Sequence, residues 1–114
     1  MSELIQLEKR DHIAILTIAN PPANTWTADS LAALEATIED LNADRNIFAL
    51  VVTGQGEKFF SAGADLKTFA DGDRARANEM AQKFGQAFAT LTAFRGVSIA
   101  AINGYAMGGG LECA

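Results

Sequence analysis

The chain has 114 residues, 49% of them hydrophobic, and its 14 acidic against 9 basic side chains give a formal net charge of −5. This length and composition suffice for one domain with an apolar core and argue against disorder. The acidic balance disfavours nucleic acid and anionic membrane surfaces as partners, because both bind through basic faces.

The N-terminus and the cysteine content bear on location and metal binding. Charged residues occupy the positions where a secretory signal needs an apolar stretch, and no apolar run approaches the ~20 residues of a membrane span. One cysteine, Cys113, excludes an internal disulfide, and one histidine, His12, leaves no partner for a His/Cys metal site. We expect a cytoplasmic protein without a metal.

The first half of the chain predicts a strand, a helix and a second strand. Residues 12–18 are apolar on both alternating faces, which is typical of a strand covered on two sides. Leucine and isoleucine side chains recur at helical spacing over residues 31–42, with Thr27 or Asp29 as the N-cap. Residues 48–53 form a second apolar run that ends at a glycine-containing turn. This order favours a parallel crossover.

The second half predicts a longer helix, a short strand and the opening turn of a third helix. Apolar side chains share one helical face over residues 80–91, with Asp71 or Asp73 as the N-cap. Residues 97–102 are typical of a strand, and a helix begins at Leu111.

This order of elements leads to two expectations about the fold. It predicts a single α/β unit with a mainly parallel sheet and layered helices, without an internal repeat or a linker. A domain that closes on the first turn of a helix leaves an apolar strand face uncovered. We therefore expect residues 1–114 to be the N-terminal part of a larger fold.

Two loops rich in small residues follow the predicted parallel strands, at the edge where open α/β sheets bind ligands. They span residues 61–65 and 104–110. Small residues let a ligand approach backbone N–H groups, and two such groups from two loops make a site for a developing oxyanion. Glu112 follows in the first turn of the last helix, where the helix dipole favours negative charge. Tight turns or close helix packing explain the glycines equally well.

Three other kinds of site are disfavoured by spacing. Residues 104–110 do not meet the GxGxxG pattern of a dinucleotide site, and residues 54–63 lack the Lys-Ser/Thr ending of a P-loop. Ser61 lacks both the GxSxG context and a histidine partner that a nucleophilic serine needs.

Two motifs in combination are more specific than either alone. FSAGADLK at residues 60–67, followed by AINGYAMGGGLE at residues 101–112, closely resembles the enoyl-CoA hydratase/isomerase family, the crotonases. NPPANTW at residues 20–26 is similar to that family's stretch after its first strand. The resemblance covers essentially the whole chain. It implies a crotonase-like (ββα)n spiral core, here its N-terminal part, and a homotrimer or hexamer for the full-length protein.

The resemblance also implies roles for particular residues. In that family, two backbone N–H groups donate to the thioester carbonyl of an acyl-CoA substrate. The matching donors here are Ala64 and Gly109, and Glu112 matches the first of the two catalytic glutamates of the hydratases. Coenzyme A is part of the substrate, so no separate cofactor is implied. The other implied substrate-binding residues are Ala23, Ala62, Asp65, Leu66 and Lys67.

The implied activity is that of an enoyl-CoA hydratase, a lyase of the fatty-acid β-oxidation type that adds water syn to trans-2-enoyl-CoA thioesters. The second glutamate of the hydratases lies beyond Ala114. The sequence therefore leaves open a Δ3,Δ2-enoyl-CoA isomerase, although Glu112 favours the hydratase, and a non-catalytic CoA-binding or assembly module. We expect residues 1–114 alone to be inactive and marginally stable.

Four residues near these motifs receive structural interpretations. Asp65 is expected to cap a helix or bind backbone N–H groups, because a carboxylate aimed at an enolate would repel it. His12 is expected at the surface. Cys113 follows Glu112 by one residue and points about 100° away from it on a helix, toward packing. Trp26 flanks either the core or the acyl-CoA groove.

Overall fold

Three ββα units follow one another along the chain in a computed structural model, which describes residues 4–65 and 72–114. The first unit comprises β1 (Ile5–Arg10), β2 (Ile13–Ile18) and α1 (Ala28–Ala43). The second comprises β3 (Ala49–Gly54), β4 (Phe59–Ser61) and α2 (Arg74–Thr92). The third comprises β5 (Val97–Ala100), β6 (Tyr105–Ala106) and α3 (Gly109–Cys113).

The strands form two sheets whose pairing is mainly parallel. One sheet has the order β1-β2-β3-β5, and the other pairs β4 with β6. Only β1 runs antiparallel to its neighbour among these strands, whereas β2 with β3, β3 with β5 and β4 with β6 are parallel. Each parallel pair is joined through a helix, so the segments after the paired strands leave the same edge of the sheet. The predicted α/β class is confirmed.

The sequence predicts three strands, and the described part of the chain has six. The missed β1 lies at the edge of its sheet and carries three successive exposed charged residues, so its apolar alternation is weak. The missed β4 and β6 have three and two residues, which is too short for an alternation pattern. Pairing with distant segments, rather than local sequence, makes these residues strands.

The helices α1 and α2 begin where capping residues were predicted. Thr27 and Ser30 form a reciprocal capping box at α1, in which each side chain accepts the other residue's backbone N–H at 3.1 and 2.8 Å. Asp73 caps α2 by accepting two N–H groups of its first turn. Asp71, the alternative cap, lies outside the described residues.

One apolar cluster joins the first two helices to one face of the larger sheet. Trp26 is fully buried in it and lies edge-on to Phe88, with ring centroids 5.7 Å apart, which places Trp26 in the core rather than in an open groove. None of the helices in residues 4–65 and 72–114 is long and apolar enough to cross a membrane. The other fully buried aliphatic side chains of the cluster include Leu16, Ile18, Leu31, Leu34, Ile38, Leu41 and Leu50.

The opposite face of this sheet is open, so the prediction that residues 12–18 are covered on two sides is wrong. Register aligns Ile13 of β2 with Ala49 of β3 and Val97 of β5 on that face. Ile13 is 44% exposed and Val97 is 62% exposed. No helix in the described residues packs there, because α1 and α2 both contribute to the cluster on the other face.

Candidate active site

Parallel pairing of β4 with β6 brings two loops side by side. Ser61, the last residue of β4, lies opposite Ala106, the last residue of β6. The Ser61 carbonyl also accepts the N–H of Met107 at 3.0 Å, which extends the pairing into the second loop. Residues 62–65 and 107–109 therefore leave the same strand edge in contact with each other.

The two loops approach each other closely at Gly63. Its φ is +103°, and a Cβ there would lie 2.9 Å from the Met107 oxygen and 3.0 Å from the Gly109 nitrogen. Both contacts are with backbone, so only glycine permits this spacing without moving a loop. A Cβ at Gly110 would similarly collide with the Ser61 carbonyl.

Within the first loop, hydrogen bonding singles out the N–H of Ala64. The N–H of Ala62 donates to the Ala23 carbonyl at 2.9 Å, and that of Gly63 donates to the Ser61 hydroxyl at 3.2 Å. The N–H of Asp65 donates to the Trp26 carbonyl at 3.0 Å. Ala64 itself forms a parallel bridge with Trp26, and in such a bridge its own N–H points away from Trp26. That N–H has no acceptor among the residues that the structure describes.

The other predicted substrate-binding residues in the described region hold this loop in place. Ala62 and Ala23 are half-buried and joined by the bond from the Ala62 N–H to the Ala23 oxygen. Asp65 is half-buried, and its N–H donates to Trp26. Contact of these residues with substrate remains a prediction. Leu66 and Lys67 lie outside the described residues.

The second loop presents the N–H of Gly109. Gly108, with φ +52°, is the N-cap of α3, so α3 begins two residues before the predicted start at Leu111. The Gly109 N–H donates to no residue in the described ranges. On its other side, a Cβ at Gly109 would lie 2.7 Å from the ring of Phe84, so a side chain there would require that ring to move.

One cavity of about 360 Å³ contains all three predicted catalytic residues. Ala64, Gly109 and Glu112 line it from the loops and α3. The volume is in the range of small-molecule sites, although the cavity is open and Glu112 is exposed. The structure thus brings the three residues together, and their roles remain predictions. From the facing helix α2, the cavity is lined by Ala77, Ala81, Phe84 and Gly85.

Two asparagines, Asn24 and Asn103, position the loops. The side-chain N–H₂ of Asn24 donates at 3.0 Å to two carbonyls of the segment that follows β3, and the Asn24 carbonyl accepts the Ser61 hydroxyl at 2.7 Å. Asn103 donates to the Gly54 carbonyl at 2.9 Å and accepts the Gly54 N–H at 3.0 Å. A signal for Asn24 was its place in a proline-containing turn, because asparagine tolerates the positive φ found there. We find no comparable sequence signal for Asn103.

The structure agrees with the sequence predictions for Ser61, His12 and Cys113. The Ser61 hydroxyl is fully buried and bonded to backbone, which does not suit a nucleophile. His12 is exposed and stacks on Phe48. Cys113 packs against the core, and burial raises the pKa of its thiol to about 12. Within residues 4–65 and 72–114, no three His, Cys, Asp or Glu side chains form a group that could hold a metal.

Comparison with known proteins gives consistent matches over this chain. A family model described as "Enoyl-CoA hydratase/isomerase" matches residues 8–114. The carnitinyl-CoA dehydratase of Salmonella arizonae is 39% identical, over 100% of this chain and 43% of that protein. The short-chain-enoyl-CoA hydratase of Clostridium acetobutylicum is 34% identical, over 95% of this chain and 42% of that protein.

A solved structure, that of Pseudomonas aeruginosa DspI, is similar with a TM-score of 0.97 and 67% identity. The match covers 99% of this chain and 46% of the DspI chain. The chain therefore spans less than half the length of each of these relatives.

Proposed function

Because this chain belongs to the enoyl-CoA hydratase/isomerase family, the crotonases, we propose that it supplies the oxyanion hole and the first catalytic carboxylate of an enoyl-CoA hydratase. The observation that carries the proposal is the shared cavity, which Ala64, Gly109 and Glu112 line together. The relatives named as a hydratase and a dehydratase support the choice of hydration chemistry.

The N–H groups of Ala64 and Gly109 have no acceptor among the described residues, and they suit the charge that develops during hydration. When water attacks the β-carbon of a trans-2-enoyl thioester, the electron pair of the double bond moves toward the carbonyl, and its oxygen becomes an enolate oxygen. The N–H groups of Ala64 and Gly109 would donate to that oxygen. A preorganised donor of this kind typically contributes about 3–4 kcal/mol to transition-state stabilisation.

Glu112 suits the role of general base. Its carboxylate would accept a proton from the attacking water while the water oxygen bonds to the β-carbon. A second carboxyl group would then deliver a proton to the α-carbon and complete syn addition. The reaction involves no net oxidation or reduction, and coenzyme A belongs to the substrate, so we propose that no separate cofactor takes part.

The second carboxyl group is expected from a further part of the protein. Since the chain spans about 43% of its relatives' length, we propose that residues 1–114 are the N-terminal part of one crotonase-like domain. We also propose a cytoplasmic homotrimer or hexamer for the full-length protein, on the resemblance to the family alone.

Substitution of Glu112 by glutamine in the full-length protein tests this proposal. We expect kcat for hydration of crotonyl-CoA to fall by about 100-fold or more, because general-base catalysis is lost. Affinity for butyryl-CoA is expected to stay the same, because the oxyanion donors are backbone groups. The exposed Glu57, which does not line the cavity, provides the control Glu57→Gln. Wild-type turnover in Glu112→Gln would refute the assignment.

An enoyl-CoA isomerase is the second candidate, because Glu112 is the only carboxylate among the described residues that line the cavity. A base acting alone can move a double bond from position 3 to position 2. Conversion of 3-enoyl-CoA without hydration of crotonyl-CoA would establish this activity. Binding of CoA thioesters with neither conversion would favour the non-catalytic module.

A further inference from the structure

The proposed active-site cavity has one wall made by a helix. Ala77, Ala81 and Gly85 of α2 are four residues apart and so share one helical face, and all three line the cavity opposite Ala64 and Gly109. None of these three side chains extends beyond a methyl group. The space beside the proposed oxyanion donors is therefore bounded on this side by the surface of α2.

Gly85 is not explained by backbone geometry or by close packing. It lies within α2, where glycine is about 1 kcal/mol less favourable than alanine. A Cβ there meets no atom of the described residues within 4 Å, in contrast to Gly109, where a Cβ would meet the Phe84 ring. The absent side chain at Gly85 therefore leaves room in the cavity instead of relieving a clash.

The chemistry of the wall indicates what would fill this room. A cationic group, such as the quaternary ammonium of a carnitinyl thioester, is usually held by carboxylates or by several aromatic rings. Among the described lining residues, Phe84 is the one aromatic ring and Glu112 is the one carboxylate. Since Glu112 is assigned to proton transfer, the α2 wall suits an uncharged apolar group.

We propose that Gly85 is a specificity-determining residue, which sets how large an uncharged acyl group the cavity accepts. This inference rests on the proposed function, because the thioester is placed between Ala64 and Gly109. A side chain at position 85 would occupy volume that a longer acyl group uses and a short one leaves empty.

The test compares short and long substrates in full-length Gly85→Leu. We expect the ratio of kcat/KM for trans-2-decenoyl-CoA to that for crotonyl-CoA to fall by about 10-fold or more. Gly85→Ala should shift the ratio in the same direction by less. Gln86→Leu adds the same side chain at the next position, which is exposed like Gly85 but does not line the cavity, and should leave the ratio unchanged. An unchanged ratio in Gly85→Leu would overturn the inference, whether both values fall equally or neither falls.

A binding measurement separates failure of this inference from failure of the proposed function. If the wild type does not hydrate any enoyl-CoA, the proposed function fails, and calorimetry with butyryl-CoA and decanoyl-CoA still decides the role of Gly85. We expect Gly85→Leu to weaken decanoyl-CoA binding by about 10-fold or more relative to butyryl-CoA. An equal effect on both, or no binding by the wild type, would overturn the inference. Leucine is a better helix former than glycine, so the variant should fold, which thermal denaturation verifies.

Discussion

Gly63 combines a left-handed backbone with contact to the second loop, so an added methyl group would act there in two ways. Its φ of +103° strains an L side chain, at about 1–2 kcal/mol for left-handed backbone. The methyl group would also press on the backbone at Met107 and Gly109. Gly56 has φ +86° and open space around its Cβ position, so it isolates the first effect.

We therefore expect Gly63→Ala to lower the free energy of unfolding by about 1–3 kcal/mol more than Gly56→Ala does. Urea denaturation of both variants measures this difference. Turnover of the full-length protein should also fall more in Gly63→Ala, because relief of the overlap displaces the Gly109 N–H from the proposed oxyanion site. Equal losses of stability would show that the loops separate at little cost.

At the scale of elements, the start of α1 is coupled to the first loop of the site. Trp26 forms a β-bridge with Ala64, and the residue after Trp26, Thr27, is the N-cap of α1. The partner of Thr27 in the capping box, Ser30, is 1% exposed, so water has little access to its N–H. The cap thus holds both a helix end and the segment that orients the Ala64 N–H.

Removal of the cap hydroxyl in Thr27→Ala should lower the free energy of unfolding by about 1–2 kcal/mol, because the buried Ser30 N–H loses its acceptor. Thr27→Ser keeps the hydroxyl and should remain close to the wild type. Thermal denaturation of the two variants measures the difference. If Thr27→Ala were as stable as Thr27→Ser, the capping box would contribute nothing.

At the scale of the whole molecule, two features indicate dependence on a further part of the protein. The open face of the larger sheet exposes the apolar side chains of Ile13, Val97 and Ile99. The cavity holds one carboxylate within the described residues, Glu112, whereas the proposed syn hydration would use two. The relatives of this chain are more than twice its length, which is consistent with both features.

We therefore expect residues 1–114 expressed alone to hydrate crotonyl-CoA no faster than the buffer does. Urea denaturation should give a free energy of unfolding below ~5 kcal/mol, since apolar side chains on one sheet face stay partly exposed. The full-length protein in the same assays is the control. Turnover by the isolated chain comparable to that of the full-length protein would contradict the need for a second carboxyl group.

The sequence by itself determined the features that depend on neighbouring residues. Helical spacing predicted α1 and α2, and the caps Thr27 and Asp73 were among the predicted pairs, because periodicity and capping act within a few residues. The two loop motifs indicated the family, which the family model confirms. Through this resemblance they also implied Glu112 as a candidate base.

Only the tertiary structure decided which groups of those motifs are available. The N–H of Ala64 has no acceptor among the described residues because Trp26, much earlier in the chain, forms hydrogen bonds with the residues on either side of Ala64. The short strands β4 and β6 exist because they pair with each other, and that pairing brings Gly63 against Gly109. The room at Gly85 likewise depends on how α2 lies against the loops. Such features arise from contacts between distant segments, which local periodicity does not encode.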